Sequence, residues 1–266
     1  MRNAIFAGAL LVALGGCSGG EADTAEPQDE ATSYTARQYM QSVNDIARLD
    51  DQQYDEARKP GELLAFAQID KGEVVGDYVM GGGYITRLLA TAVGANGKVY
   101  AFQPEEFIAF NADYADQQDA AVAPYSDDNG NPVRVFPLRG PLVEPGWPEP
   151  LDTIITVMNF HDLYLTDFPE GTASEGVQML YDALKPGGTL VVVDHLAQEG
   201  GGAMAANEEH RMDRQLALDA LTGAGFTLEE ESDLYSNPDD PRTANVFDDS
   251  IRGQTDQFAW RLRKPE

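Results

Sequence analysis

Residues 74–89 read VVGDYVMGGGYITRLL: an apolar run, the consecutive glycines Gly81, Gly82 and Gly83, and then Ile85, Leu88, Leu89 and, just beyond, Ala92 at helical spacing. A strand that enters a helix through glycines suits a turn whose backbone takes unusual φ/ψ and comes close to a ligand. Free N–H donors at the helix start then meet the ligand's polar groups, as a nucleotide-like molecule requires. The alternative is a tight strand-to-helix turn that binds nothing, and the surrounding chain must decide between them.

Outward from that stretch the chain alternates between β-type and helix-type runs. The β-type runs are KVYAFQ (98–103), VRVFPL (133–138), DTIITVM (152–158) and TLVVVDH (189–195). Between them lie EEFIAFNADYA (105–115) and helical patterns over 172–185 and 207–222. Apolar strands without polar alternation indicate a parallel sheet covered on both faces. Thr172 and Glu175 have capping-box spacing, and Pro186, Gly187 and Gly188 stop the helix that follows. In the later helix Met212, Leu216 and Ala220 form the expected buried stripe, with His210, Asp213 and Arg214 on another face. TLEEESDL (227–234) and FAWRLRK (258–264) have no clear helix between them, so they are expected to pair antiparallel at the sheet edge. Ahead of the alternation, Tyr39, Val43, Ile46 and Leu49 predict a helix over 35–49, and GELLAFA (61–67) a second.

These pieces resemble the class I S-adenosylmethionine (SAM) dependent methyltransferases over roughly residues 58–264. The resemblance is carried by GDYVMGGGYIT, GKVYAFQP, LDTIITVMNFHD and, most specifically, LKPGGTLVVVDH, with the closing strand pair. Within that superfamily the chain is most similar to a group of exported bacterial proteins predicted to be methyltransferases, sharing NFHD, VVDH and the FDDSIRGQTDQF tail. The resemblance implies an α/β three-layer sandwich with a seven-stranded, mostly parallel Rossmann-like sheet and a C-terminal antiparallel strand pair. It implies SAM as cofactor, bound by Asp77, Gly81, Gly82, Gly83, Gln103 and Asn159. Two positions depart from the pattern: Val79 replaces the earliest glycine of the first motif, and Gln103 replaces the acid that commonly holds both ribose hydroxyls. A neutral amide gives up the charge-assisted pair, an expected loss of about 1–2 kcal/mol for that contact.

The chain has three histidines, and all fall where a site is expected. His161 and Asp162 follow one strand, Asp194 and His195 end the next, and His210 opens the following helix with Asp213 one turn on. Ligands of open α/β sheets bind outside the carboxyl ends of the strands, where the first two pairs project. Imidazole beside carboxylate can orient a general base or bind a divalent metal. The assignments are His161 with Asp162 as the base pair, Asp194 and His195 shaping the acceptor pocket, and His210 and Asp213 as substrate contacts, with metal left open. The plainer reading makes these residues caps and solvated helix positions. Arg211 to Arg214 and the tail around Arg252 are read first as a solvated charged face and second as a contact for an acidic substrate.

Composition narrows the function. Forty-five acidic against 18 basic residues give a formal charge of -27, which repels phosphate backbones and argues against a nucleic-acid partner. The single cysteine, Cys17, excludes intramolecular disulfides and cysteine-cage metal sites, so any chemistry comes from oxygen, nitrogen and backbone groups. Arg2 followed by the apolar run Ala4 to Leu14 reads as a secretory signal, too short for a stable transmembrane helix. LGGC (14–17) resembles the lipobox of bacterial lipoproteins. That resemblance implies cleavage after residue 16, lipidation of Cys17 and, with Ser18 following, the periplasmic face of a Gram-negative outer membrane. Residues 17–33 carry Glu21, Asp23, Glu26, Asp29 and Glu30 without a base, an expected disordered tether ahead of a single domain over 34–266. The leading expectation is a lipid-anchored, exported methyltransferase acting on a small-molecule or envelope acceptor, with the membrane reached only through the anchor. The alternatives are an accessory envelope protein on the same scaffold that has lost SAM, and a metal-assisted hydrolase or lyase using the histidines.

Overall fold

A computed structural model describes residues 33–266. The expected signal over 1–16, Cys17 and nearly all of the tether lie outside the described residues. The alternating runs become seven strands: β1 (Val74–Tyr78), β2 (Lys98–Pro104), β3 (Val135–Gly140), β4 (Leu151–Val157), β5 (Leu184–His195), β6 (Thr227–Ser232) and β7 (Gln257–Arg263). They form one sheet in the order β3-β2-β1-β4-β5-β7-β6. The first five are parallel, whereas β7 runs antiparallel to both β5 and β6. The expected seven-stranded sheet and its closing antiparallel pair are therefore both present.

Each central strand feeds two cores, which explains why adjacent positions such as Ile154 and Ile155 of β4 and Leu190 to Val193 of β5 are apolar. Val191 and Val193 of β5 pack with Leu63, Leu64, Leu88 and Leu89 on one face. Leu190 and Val192 of the same strand pack with Leu180, Leu221, Trp260 and Leu262 on the other. Strand β6, with Glu229, Glu230 and Glu231, is a charged edge of the kind that discourages pairing with another sheet. Arg261 and Arg263 of β7 anchor it through Glu229 and Glu230.

Three local expectations change. Over 35–49 there is no continuous helix but short turns, Ala36–Tyr39, Met40–Val43 and Ile46–Arg48. Asp45 caps the last by accepting the Ala47 N–H, which restarts the chain and leaves Ile46 81% and Leu49 63% exposed. The 207–222 helix is two helices, Gly202–Glu209 and Arg214–Gly223, separated at His210, whose φ of 53° is left-handed. Its buried stripe falls on Ala217 and Leu221, one position beyond the expected Leu216 and Ala220. The helix Thr172–Ala183 has Gly171, at φ 97°, as its cap, with Thr172 its first residue.

Candidate functional site

The site lies at the carboxyl ends of β1, β2, β4 and β5. After β1 the chain turns at Val79 (φ 62°), Gly81 (φ 53°) and Gly83 (φ 80°), then enters the helix Tyr84–Ala92. Val79 stands at the expected missing glycine and takes the left-handed conformation that glycine would provide without strain. For a β-branched residue that conformation costs on the order of 1–3 kcal/mol. Gly83 cannot carry a side chain, since a Cβ there would come within 2.4 Å of Ala121 Cβ. A Cβ on Gly81 would meet only open space. Among the described residues, the N–H groups of Gly81 and Gly82 have no hydrogen-bond partner, whereas the Gly83 N–H closes the turn on Met80 O at 2.9 Å.

Asp77 is buried beneath this turn, and Thr86 Oγ1 donates to its Oδ2 at 2.5 Å, tying strand to helix. Burial raises the Asp77 carboxyl to about 7, against the smaller opposing effect of the Thr86 hydrogen bonds. Gln103, at the end of β2, is wholly buried, and neither its Oε1 nor its Nε2 has a partner. An amide in that condition is costly unless something bonds it. Asn159 donates through Nδ2 to Val79 O at 3.1 Å and to Val157 O at 2.7 Å, stitching the end of β4 to that of β1 and leaving its Oδ1 for a ligand. The free glycine N–H groups and the unpartnered Gln103 amide therefore fit a ligand with hydroxyl and carboxylate groups. Asp77 serves the turn from beneath.

The histidine cluster occupies the ends of β4 and β5. The Asp194 carboxylate, fully buried at the end of β5, accepts the backbone N–H groups of His161 at 2.7 Å and His195 at 2.8 Å. It also meets His161 Nδ1 at 2.9 Å, while His161 Nε2 lies 3.4 Å from Asp162 Oδ1. The orienting partner of His161 is thus Asp194 rather than the adjacent Asp162, which stands on the outer side of the ring. Burial works against a charged His161, but Asp194, with Asp162 assisting, outweighs it and holds the imidazole at about 9. Burial also raises Asp162 to about 6 despite the neighbouring imidazole. His195 bonds Thr255 Oγ1 through Nδ1 at 2.7 Å, and burial pushes it down to about 4, so it is neutral in ordinary buffers.

His210 joins the cluster, its ring centroid 5.5 Å from that of His161 and 5.0 Å from the exposed Phe247. It does so as the left-handed cap of Gly202–Glu209, not as the opening of the next helix. Asp213 does not join. Its carboxylate caps Arg214–Gly223 by accepting the N–H groups of Gln215 and Leu216, and it also accepts the Gly202 N–H at 2.9 Å. The expected substrate contact is a structural cap. Arg211 is neither a solvated residue nor a substrate contact: it is fully buried and forked onto Asp240 at 2.8 and 3.2 Å. Sequence reasoning did not assign Phe247 and Thr255 to the site; they reach the cluster from loops about 40 to 60 residues beyond it, and the signal for them is that both lie in the FDDSIRGQTDQF tail that shares in the resemblance with NFHD and VVDH.

No family model and no curated protein matches the chain. Solved structures do, and they share its fold at low identity. A SAM-dependent methyltransferase from Aquifex aeolicus is 17% identical with a TM-score of 0.50, over 87% of this chain and 99% of that one. The N-methyltransferase NodS from Bradyrhizobium japonicum is 15% identical with a TM-score of 0.52, over 82% and 100%. The [4+2]-cyclase SpnF is 16% identical with a TM-score of 0.52, over 79% and 80%. The fold is thus that of the class I SAM-dependent methyltransferases, and SpnF is described by a different reaction on the same scaffold.

Proposed function

We propose that the protein binds SAM at the Gly81–Gly83 turn and transfers its methyl group to a small-molecule or cell-envelope acceptor, as one of the exported bacterial methyltransferases. The carrying observation is the buried, unpartnered Gln103 amide beside the free N–H groups of Gly81 and Gly82, on a sheet of methyltransferase order. SAM, when bound, supplies an electrophilic methyl group for in-line displacement. The chain's own part is alignment. Gly81, Gly82 and Gln103 hold polar groups of the donor, and Asn159 fixes the spacing between β1 and β4. His161, held at about 9, already carries its proton at neutral pH, so Asp162, raised to about 6 beside it, is the member of the Asp162–His161–Asp194 array that receives the acceptor's proton.

Export is supported by Arg2, the apolar run that follows and LGGC, which make Cys17 the membrane anchor in this proposal. Calorimetry of the purified protein with SAM and S-adenosylhomocysteine tests the donor. Saturable heat with both is expected, and none at millimolar ligand would sink methyl transfer. A second reading, an envelope protein on this scaffold that no longer transfers methyl groups, is favoured by Val79 at φ 62° and the amide of Gln103. It predicts that empty titration.

A further inference from the structure

The histidine cluster has more structure than a proton acceptor needs. His161, Asp162 and His210 each offer a ligand atom, and these atoms lie within 4.8 Å of one another. Two donors about 2.1 Å from a tetrahedral ion stand about 3.4 Å apart. That is the separation of His161 Nε2 and Asp162 Oδ1, 3.4 Å. With all three ligand atoms within 4.8 Å, His210 has to close in by at most about 1.4 Å to complete such a set. Its ring belongs to a half-buried residue on the break between two helices, where a side-chain rotation is enough. The Nδ1 side of His161 is already engaged by Asp194, which fixes the ring and turns Nε2 outward. A carboxylate behind a histidine in this manner is the usual support of a metal-binding imidazole. A divalent ion would also balance the charge of the two carboxylates.

We propose that His161 Nε2, the Asp162 carboxylate and a ring nitrogen of His210 bind one divalent transition-metal ion of the zinc class, with Asp194 as a positioning residue. Two imidazoles and one carboxylate select first-row transition ions over magnesium and calcium, which prefer all-oxygen sites. Three protein ligands leave a position open for water or an acceptor oxygen, next to Phe247 at the rim. Binding displaces any proton on His161 Nε2. The ion site stands independently of SAM binding, because it uses none of the residues at the glycine turn.

The test is titration of the chelator-treated, dialysed protein with Co²⁺ in excess Mg²⁺, which saturates the many carboxylates of an acidic surface. One equivalent with a visible band displaced by Zn²⁺ is expected. His210→Asn, chosen because asparagine tolerates the left-handed conformation, and Asp162→Asn should each weaken binding at least tenfold. Asp194→Asn should weaken it about 10- to 100-fold and shift the Co²⁺ band while keeping one equivalent. A wild-type protein without that equivalent overturns the proposal. So does wild-type affinity in both His210→Asn and Asp162→Asn; if Asp162→Asn fails to fold, His210→Asn decides alone. SAM calorimetry on the same metal-free sample separates failure of this site from failure of the methyl-transfer reading.

Discussion

Asp77 gives the sharpest check on the physics beneath the glycine turn. A free aspartate titrates near 3.9, whereas burial holds this one at about 7 in the folded chain. Between those values the folded state binds more protons than the unfolded state, so this group lowers stability as pH rises through the window. Each unit is worth about 1.4 kcal/mol, and a gap of about three units gives about 4 kcal/mol by pH 8. Asp77→Asn keeps an oxygen that can accept the Thr86 hydroxyl and removes the titration. At pH 4 and below the two proteins should differ by about 1 kcal/mol or less, the difference between two neutral hydrogen bonds. Above pH 8 the variant should be more stable by about 4 kcal/mol relative to that baseline. Urea unfolding followed by circular dichroism at four or five pH values measures this directly. Glu73, which burial also raises to about 7, is common to both proteins and cancels in the comparison. Parallel stability curves for the wild type and Asp77→Asn from pH 4 to 8 would refute the reasoning, because they would place the carboxyl at its free value.

Three further outcomes follow from the same structure. Gly83→Ala should cost about 2–4 kcal/mol, combining its left-handed φ with a Cβ 2.4 Å from Ala121, whereas Gly81→Ala, with open space around it, should cost only about 1 kcal/mol. Equal losses in urea unfolding would contradict this. Arg211→Leu should destabilise by about 3–5 kcal/mol by stranding the buried Asp240 carboxylate, and adding Asp240→Asn should recover part of that loss in a double-mutant cycle. Gln103→Glu should tighten SAM binding by roughly 5- to 30-fold at pH 8 by restoring a charge-assisted contact, as read by calorimetry; unchanged affinity would mean that Gln103 is not the ribose partner.

The fold was legible because its signals are local and redundant. VVGDYV, DTIITV and TLVVVDH carry adjacent apolar residues, Val74–Val75, Ile154–Ile155 and Leu190–Val193, since each strand feeds both cores, and this lack of alternation separates a covered parallel sheet from a half-exposed one. The lost helix over 35–49 shows the limit. Tyr39 is buried with its hydroxyl on Ile69 O at 2.8 Å, but Ile46 and Leu49 share its helical period without any surface to cover. Hydrophobic period reports what a segment could bury, not whether a partner is there. Here the Asp45 cap decided otherwise.

The site was legible in its membership and not in its pairing. Topology required His161 and Asp162 to share an edge with Asp194 and His195, because β4 and β5 are parallel neighbours in register, Val157 opposite Val193. Adjacency in sequence then suggested Asp162 as the partner of His161; the structure puts Asp194, from the end of β5, on Nδ1 at 2.9 Å and leaves Asp162 3.4 Å from Nε2. The structure likewise separates His210 from Asp213. A helix over 207–222 would have put both on one face. The left-handed break at His210 instead sends the imidazole into the cleft and leaves Asp213 to cap the helix beyond. That break is what joins the third histidine to the other two, so a residue that could re-form a continuous helix at 210, such as His210→Ala, should remove the ring and redirect the chain around it. His210→Asn, which keeps the break, removes only the ring. A difference between these two variants in urea stability, with Asn the more stable, would show that the bend is held by the conformational preference at residue 210 itself.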